Sequence, residues 1–187
     1  AAAAFGWSAR VRALTRLASA LNYLHRHTHP PVYHRDVKSA NVVLCDGFEP
    51  KLIDCGLAKL LSQEQAAEHM AGRSLFTMGT SMAQLYGTVG YQCRQYTSNP
   101  ASFGDRSEIF SFGIVLLEVL VGQLNTSGQP WLDVKFVNHD ALLETEDEEE
   151  LTLDRRPGRC RDELADSLIA LAKQCVGPFR RRPRRMG

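Results

Sequence analysis

Apolar residues at Val11, Leu14, Leu17, Ala18, Leu21 and Leu24 recur at intervals of three and four, the spacing that lines one face of an α-helix. The pattern predicts a helix over residues 10–27, stopped by His29, Pro30 and Pro31. Two short β-prone runs follow, "VVL" at 42–44 and "KLI" at 51–53, on either side of "CDGFEP" with its Asp46-Gly47 turn signal; together they predict a small hairpin. Residues 59–90 keep no sustained period and read as a long loop with a helical turn or two at Gln63–Ala71, and long loops in compact domains are commonly functional or disordered. From Ser107, "SEIFSFGIVLLEVLVG" is apolar nearly all round its helical wheel, as expected of a helix at the centre of a domain, with Gly122 as its stop. After an irregular stretch around Trp131, the positions Leu164, Leu168, Leu171, Ala172 and Cys175 predict a last amphipathic helix ending near Gly177-Pro178. No internal repeat is present, and the pattern describes a mainly α domain with one small hairpin.

Composition narrows the function classes. The 187 residues, 44% hydrophobic and 23% charged, suit one globular domain. With 22 basic against 21 acidic residues, the chain has no overall field to gather nucleic acid or anionic membrane. Charge is local instead: "ETEDEEE" at Glu144–Glu150 and the tail "FRRRPRR" at Phe179–Arg185, each readable as solvated surface or as a docking element. The five cysteines are odd in number and lack paired spacing, which argues against a disulfide framework or a zinc site and for a reducing, cytosolic setting. His25, His27 and His29 alternate, a spacing open to metal ligation but lying where a helix ends. The opening "AAAAFGW" has no basic leader, and no run of 18 apolar residues occurs, so the chain reads as soluble as it stands. Its first residue is Ala, compatible with truncation or with loss of an initiator Met.

Candidate chemistry gathers at the hairpin, where Asp36 precedes the first strand and Asp54 follows the second. Phosphoryl transfer needs little covalent chemistry and much positioning: a carboxylate to orient the attacking hydroxyl and oxygen ligands for Mg²⁺ across the phosphates. Asp36 suits the first task. Asn41 and Asp54 suit the second, because Mg²⁺ takes one or two protein oxygens and completes its shell with phosphate and water. Lys38, two residues from Asp36, can set a point charge against the transferring group.

"HRDVKSAN" followed by "DCG" resembles the catalytic and metal-binding loops of the eukaryotic protein kinases. "GTVGY" at Gly87–Tyr91 is similar to the loop that receives the substrate residue, and the resemblance implies that Thr88 bonds Asp36 and Lys38. "FGDRSEIFSFGIVLLEVLVG" resembles the central helix after the activation segment, and "RRRP" at Arg180–Pro183 the closing Arg-Pro motif. Trp7 and "YLH" at Tyr23–His25 look like the receptor-like, Pelle and interleukin-receptor-associated group. The implied fold is the α+β kinase fold, represented by a helical C-terminal lobe: catalytic loop 34–41, activation segment 54–95, central helix about 107–122 and basic tail 179–187. The implied activity is transfer of the ATP γ-phosphoryl group to Ser or Thr hydroxyls of a protein, since Lys38 in Asp-x-Lys-x-x-Asn resembles the serine/threonine class. Implied ligands are ATP and Mg²⁺, with Lys38, Asn41, Val43 and Asp54 at the nucleotide, Val43 beneath the adenine, and Asn41 and Asp54 at the metal. Arg35 is expected to clamp a phosphate on the activation segment, with Ser74, Thr77, Thr80 and Ser81 as candidate acceptors.

Several positions depart from that pattern. Cys55 stands where the family has Phe, Gln95 where a Glu is expected to pair with Arg182, and Glu108 where an Asp begins the central helix. No Gly-rich loop, strand lysine or helix Glu precedes Arg10, so the N-terminal lobe is expected to be absent and to come from upstream sequence or a partner kinase. These departures leave a rival expectation, a catalytically impaired scaffold or a truncated fragment acting only by protein binding. The expected location is cytoplasmic or, with an upstream segment, the intracellular part of a membrane receptor.

Overall fold

The structure, a computed structural model, describes residues 5–61, 85–125 and 153–177. Helix α1 spans Trp7–Arg26, starting three residues before the sequence pattern because Trp7 is buried along with Leu14, Leu17 and Leu21. Its last turn closes when the Tyr23 carbonyl accepts the N–H of His27 at 2.9 Å.

The two β runs pair as predicted, β2 (Val42–Leu44) antiparallel to β3 (Pro50–Leu52), with Val43 opposite Lys51. The start of the expected long loop is not a loop. Residues Lys59–Leu60 form β4 and pair antiparallel with β1, Val32–Tyr33, so that Val32 faces Leu60 and Tyr33 faces Lys59. A two-residue strand is too short to show a period, so it draws its stability from the far strand and from packing. Here the packing is Tyr33, Leu61, Tyr96 and Phe103, a small aromatic cluster under this ribbon. Tyr96 belongs to the short helix α2, Arg94–Ser98.

Helix α3, Asp105–Val121, begins two residues before the predicted central helix and is as buried as its composition requires: Ile114, Leu116 and Leu120 have no exposed surface. Gly122 follows it, its N–H bonding the Glu118 carbonyl at 2.7 Å. The last helix, α4, spans Asp162–Val176 and crosses α3 closely. At Gly113 a β-carbon would lie 2.6 Å from Cys175 Cβ and 2.8 Å from Val176 Cγ1, so the absence of a side chain there sets how near the helices come. One apolar core joins α1, α3 and α4. A polar staple fastens its far end: buried Arg10 bonds the Val119 carbonyl and Asp154 Oδ2, both at 2.7 Å, while Trp7 Nε1 donates to the Gly158 carbonyl at 3.0 Å.

No described helix is long and apolar enough to cross a membrane. The Gln63–Ala71 turn, Ser74, Thr77, Thr80, Ser81, Trp131, the acidic run, Arg182 and the basic tail lie outside the described residues.

Candidate active site

The site forms where the segment after β1 meets α3. Arg35 has φ 69°, a conformation costing a non-glycine residue on the order of 1 kcal/mol or more. Its inward N–H is met by Glu108 Oε1 at 2.5 Å, and the other oxygen of Glu108 bonds His25 Nε2 at 2.6 Å. Glu108 therefore keeps its carboxylate on the loop despite its extra methylene, and His25, one of the alternating histidines, is spent on holding it. His34 braces the same turn with one tautomer, accepting the Asp36 N–H at Nδ1, 3.3 Å, and donating from Nε2 to the Ile53 carbonyl, 3.0 Å. This last bond ties the loop to the end of β3.

Asp36 emerges buried and fully surrounded. Thr88 Oγ1 donates to Oδ1 at 2.6 Å, Lys38 Nζ pairs with Oδ2 at 2.8 Å, and Lys38 also donates to Thr88 Oγ1 at 2.8 Å. Asn41 Nδ2 donates to the Asp36 carbonyl at 2.8 Å and to Oδ2 at 3.1 Å, leaving its own Oδ1 outside both bonds. Burial pushes the Asp36 carboxyl up, but the donations from Lys38, Thr88 and Asn41 outweigh it and hold the group below the usual carboxylate range. Thr88 reaches Asp36 because Gly87 has φ 96° and a β-carbon there would lie 2.7 Å from the Arg35 carbonyl; only glycine fits.

A second layer, unassigned in the sequence reading, holds the Thr88 loop. Tyr91 donates to Glu118 Oε1 at 2.6 Å and takes up Ser39 Oγ at 3.2 Å. Its carbonyl accepts from Ser111 Oγ at 2.6 Å, and Asn125 bridges the Gly90 carbonyl and Glu118 Oε1. Burial first, and Glu118 beside it, push the Tyr91 phenol well up. The only trace in sequence is that Tyr91 closes "GTVGY" and that a Glu sits at position 118 in the otherwise apolar run from Phe112 to Val121.

Asp36, Lys38, Asn41 and Thr88 thus converge. Asp54 lies beyond β3, exposed, at φ 63° and ψ 64°, followed by exposed Cys55, a free thiol. Val43 is an exposed apolar residue of the hairpin, as are Leu44 and Ile53. Gln95 is exposed on α2. Among the described residues no three His, Cys, Asp or Glu side chains gather as a metal site. The free Asn41 amide oxygen and the Asp54 carboxylate are hard donors that suit an ion completing its shell with phosphate and water.

A family model described as the protein kinase domain matches residues 4–181. Among curated proteins of Arabidopsis thaliana, the chain is 41% identical over 117 residues to the putative proline-rich receptor-like protein kinase PERK11, covering 63% of this chain and 14% of that one. It is 32% identical over 171 residues to calmodulin-binding receptor-like cytoplasmic kinase 1, covering 88% of this chain and 33% of that one. With cysteine-rich receptor-like protein kinase 44 it shares 35% identity over 119 residues, 64% of this chain and 28% of that one. The chain therefore spans a third or less of the length of these relatives.

Proposed function

The chain belongs to the protein kinase family, and from that membership we propose that its Asp36 cluster transfers the γ-phosphoryl group of ATP to a Ser or Thr hydroxyl of a protein. The observation that carries this reading is the convergence of Lys38, Thr88 and Asn41 on one buried carboxylate. In the transfer, a bond forms between the hydroxyl oxygen and the γ-phosphorus, the bond to the β-phosphate oxygen breaks, and ADP leaves. Asp36, held ionised, is too weak a base to strip the hydroxyl in the ground state. Its part is to accept the hydroxyl hydrogen bond, aim the oxygen and take the proton as the new bond forms. Lys38 stands by Oδ2 to offset charge on the transferring group. Thr88 closes the triangle and keeps Lys38 and Asp36 in register. Asn41 and Asp54 would hold Mg²⁺, which would supply positive charge against the phosphates.

Residues 34–41 are then the catalytic loop, 54–95 the activation segment and 179–187 a basic tail, within a helical C-terminal lobe. Exposed Val43 and Ile53 on the hairpin supply the apolar floor beneath an adenine, and the opposite wall of the cleft lies outside these residues. Ser/Thr rather than Tyr specificity rests on Lys38, whose ammonium occupies the space next to Asp36. Free cysteines throughout the described residues fit a cytoplasmic setting. A binding-only role draws on one feature, the exposed Asp54-Cys55 pair, which leaves a metal ligand loosely supported. Transfer of labelled phosphate from Mg-ATP to a protein substrate decides between them. Activity lost in Asp36→Asn supports the kinase, whereas a substrate phosphorylated equally by both forms overturns it.

A further inference from the structure

Arg35 stands next to Asp36, yet its guanidinium is turned onto an aromatic ring. Its Cζ lies 3.9 Å from the centroid of Tyr86, with the Phe103 ring at 5.7 Å. Tyr86 itself is planted. Its N–H donates to Tyr96 Oη at 2.7 Å, and its carbonyl accepts from Gln92 Nε2 at 2.9 Å and from the Tyr96 hydroxyl at 3.2 Å. Tyr96 is in turn almost wholly buried and set edge-on to Phe103 at 5.0 Å. One residue later, Gly87 rests against the Arg35 carbonyl, and one after that, Thr88 reaches Asp36. The loop therefore docks on Arg35 at two adjoining points, ring on guanidinium and backbone on backbone, immediately before the residue that touches the carboxylate. Arg35 is also crowded by a second cation: burial, then the Arg35 charge, push the Lys59 amine down. The electron-rich face of a tyrosine is a neutral partner suited to that crowding.

We propose that Tyr86 is a positioning residue whose ring, stacked on Arg35, keeps Gly87 and Thr88 against Asp36 with no phosphate on the chain. The proposal rests on the phosphoryl-transfer reading of Asp36. An arginine in this setting is otherwise a ready donor pair for a phosphate; here the aromatic face engages the guanidinium and anchors the loop, so the site is assembled in the unmodified protein.

The test compares the wild type, Tyr86→Phe and Tyr86→Leu, each before and after phosphatase treatment, by initial rates of transfer from Mg-ATP to casein. Wild type and Tyr86→Phe should keep their kcat after dephosphorylation. Dephosphorylated Tyr86→Leu should lose a factor of roughly 2 to 30, the span of a cation–π contact, with KM for ATP unchanged. Loss of wild-type activity on dephosphorylation, or a Leu variant equal to the wild type, overturns the proposal. Hydrogen exchange supplies a readout without catalysis: the Gly87 and Thr88 amides should exchange faster in Tyr86→Leu but not in Tyr86→Phe. If no form transfers phosphate, the kinase reading fails and the stack is judged on exchange alone, equal exchange in the two variants overturning it. Should Tyr86→Leu not fold, Arg35→Gln breaks the same stack and is read by the same exchange experiment.

Discussion

Asp36 and Asp154 are both buried aspartates held below the usual carboxylate range, and their surroundings differ in reach. Asp36 is pushed up by burial and then overruled by Lys38, Thr88 and Asn41, two of which lie within five residues of it. Asp154 is held down first by Arg156, whose side chain and backbone both donate to Oδ1, against burial, and then by Arg10. Arg10 comes from 144 residues away, and Arg156 also bonds the Gly122 carbonyl at 2.5 Å. The first cluster closes three donors on one carboxylate. The second spends its bonds joining the start of α1, the end of α3 and the segment before α4. On the proposed function, similar chemistry serves reaction in one place and assembly in the other, and the two should come apart under mutation.

The largest separation is expected from Asp36→Asn, which should cut kcat for phosphoryl transfer by about 10²- to 10⁴-fold while thermal unfolding stays cooperative. If Asp36 orients the hydroxyl, the acid limb of the wild-type pH–rate profile should lie below the ordinary carboxyl range, as its lowered pKa requires. Next, Asp154→Ala leaves Arg10 buried and unpaired and should cost about 3–5 kcal/mol in urea unfolding. Its effect on activity per folded molecule should be small. The sign with pH follows from linkage: with the folded pKa depressed, Asp154 contributes stability above its unfolded value near pH 4 and loses it as pH falls below that. The variant should therefore show a shallower loss of stability in acid. Gly113→Ala bears on assembly by packing alone, its new β-carbon meeting Cys175 at 2.6 Å, and should cost roughly 1–3 kcal/mol. The smallest effect belongs to Arg16→Ala. Its pair with Glu49 at 2.9 Å is half-exposed on both sides, and denaturation should register no more than about 0.5 kcal/mol.

What could be read from sequence follows the same division. Asp36, Lys38 and Asn41 stand within six residues, so their convergence is a property of one local turn and is visible as a motif. The helices were visible because burial of Leu14, Leu17 and Leu21 imprints a period on the chain, while burial of most positions in α3 leaves a long apolar run. Arg10–Asp154, Tyr91–Glu118 and Arg35–Tyr86 have no such imprint: each joins residues from separate elements, and a lone polar residue in an apolar run does not name its partner. The β1–β4 pairing stayed hidden for a related reason, two residues per strand being too few for alternation. Glu108 appeared in sequence as an imperfect substitute. In three dimensions its longer side chain spans His25 and the Arg35 amide, a compensation evident only once those groups are neighbours.

The staple at Arg10 also bears on the order of events during synthesis. Helix α1 is translated well before the groups that bury its arginine, the Val119 carbonyl and Asp154. At roughly 5 to 20 residues per second, the 144 residues separating Arg10 from Asp154 correspond to a wait on the order of ten seconds. Through that interval the guanidinium stays hydrated and the apolar face of α1 lacks its final partners. Closure of the staple on α1 therefore waits until both of its partners have been translated.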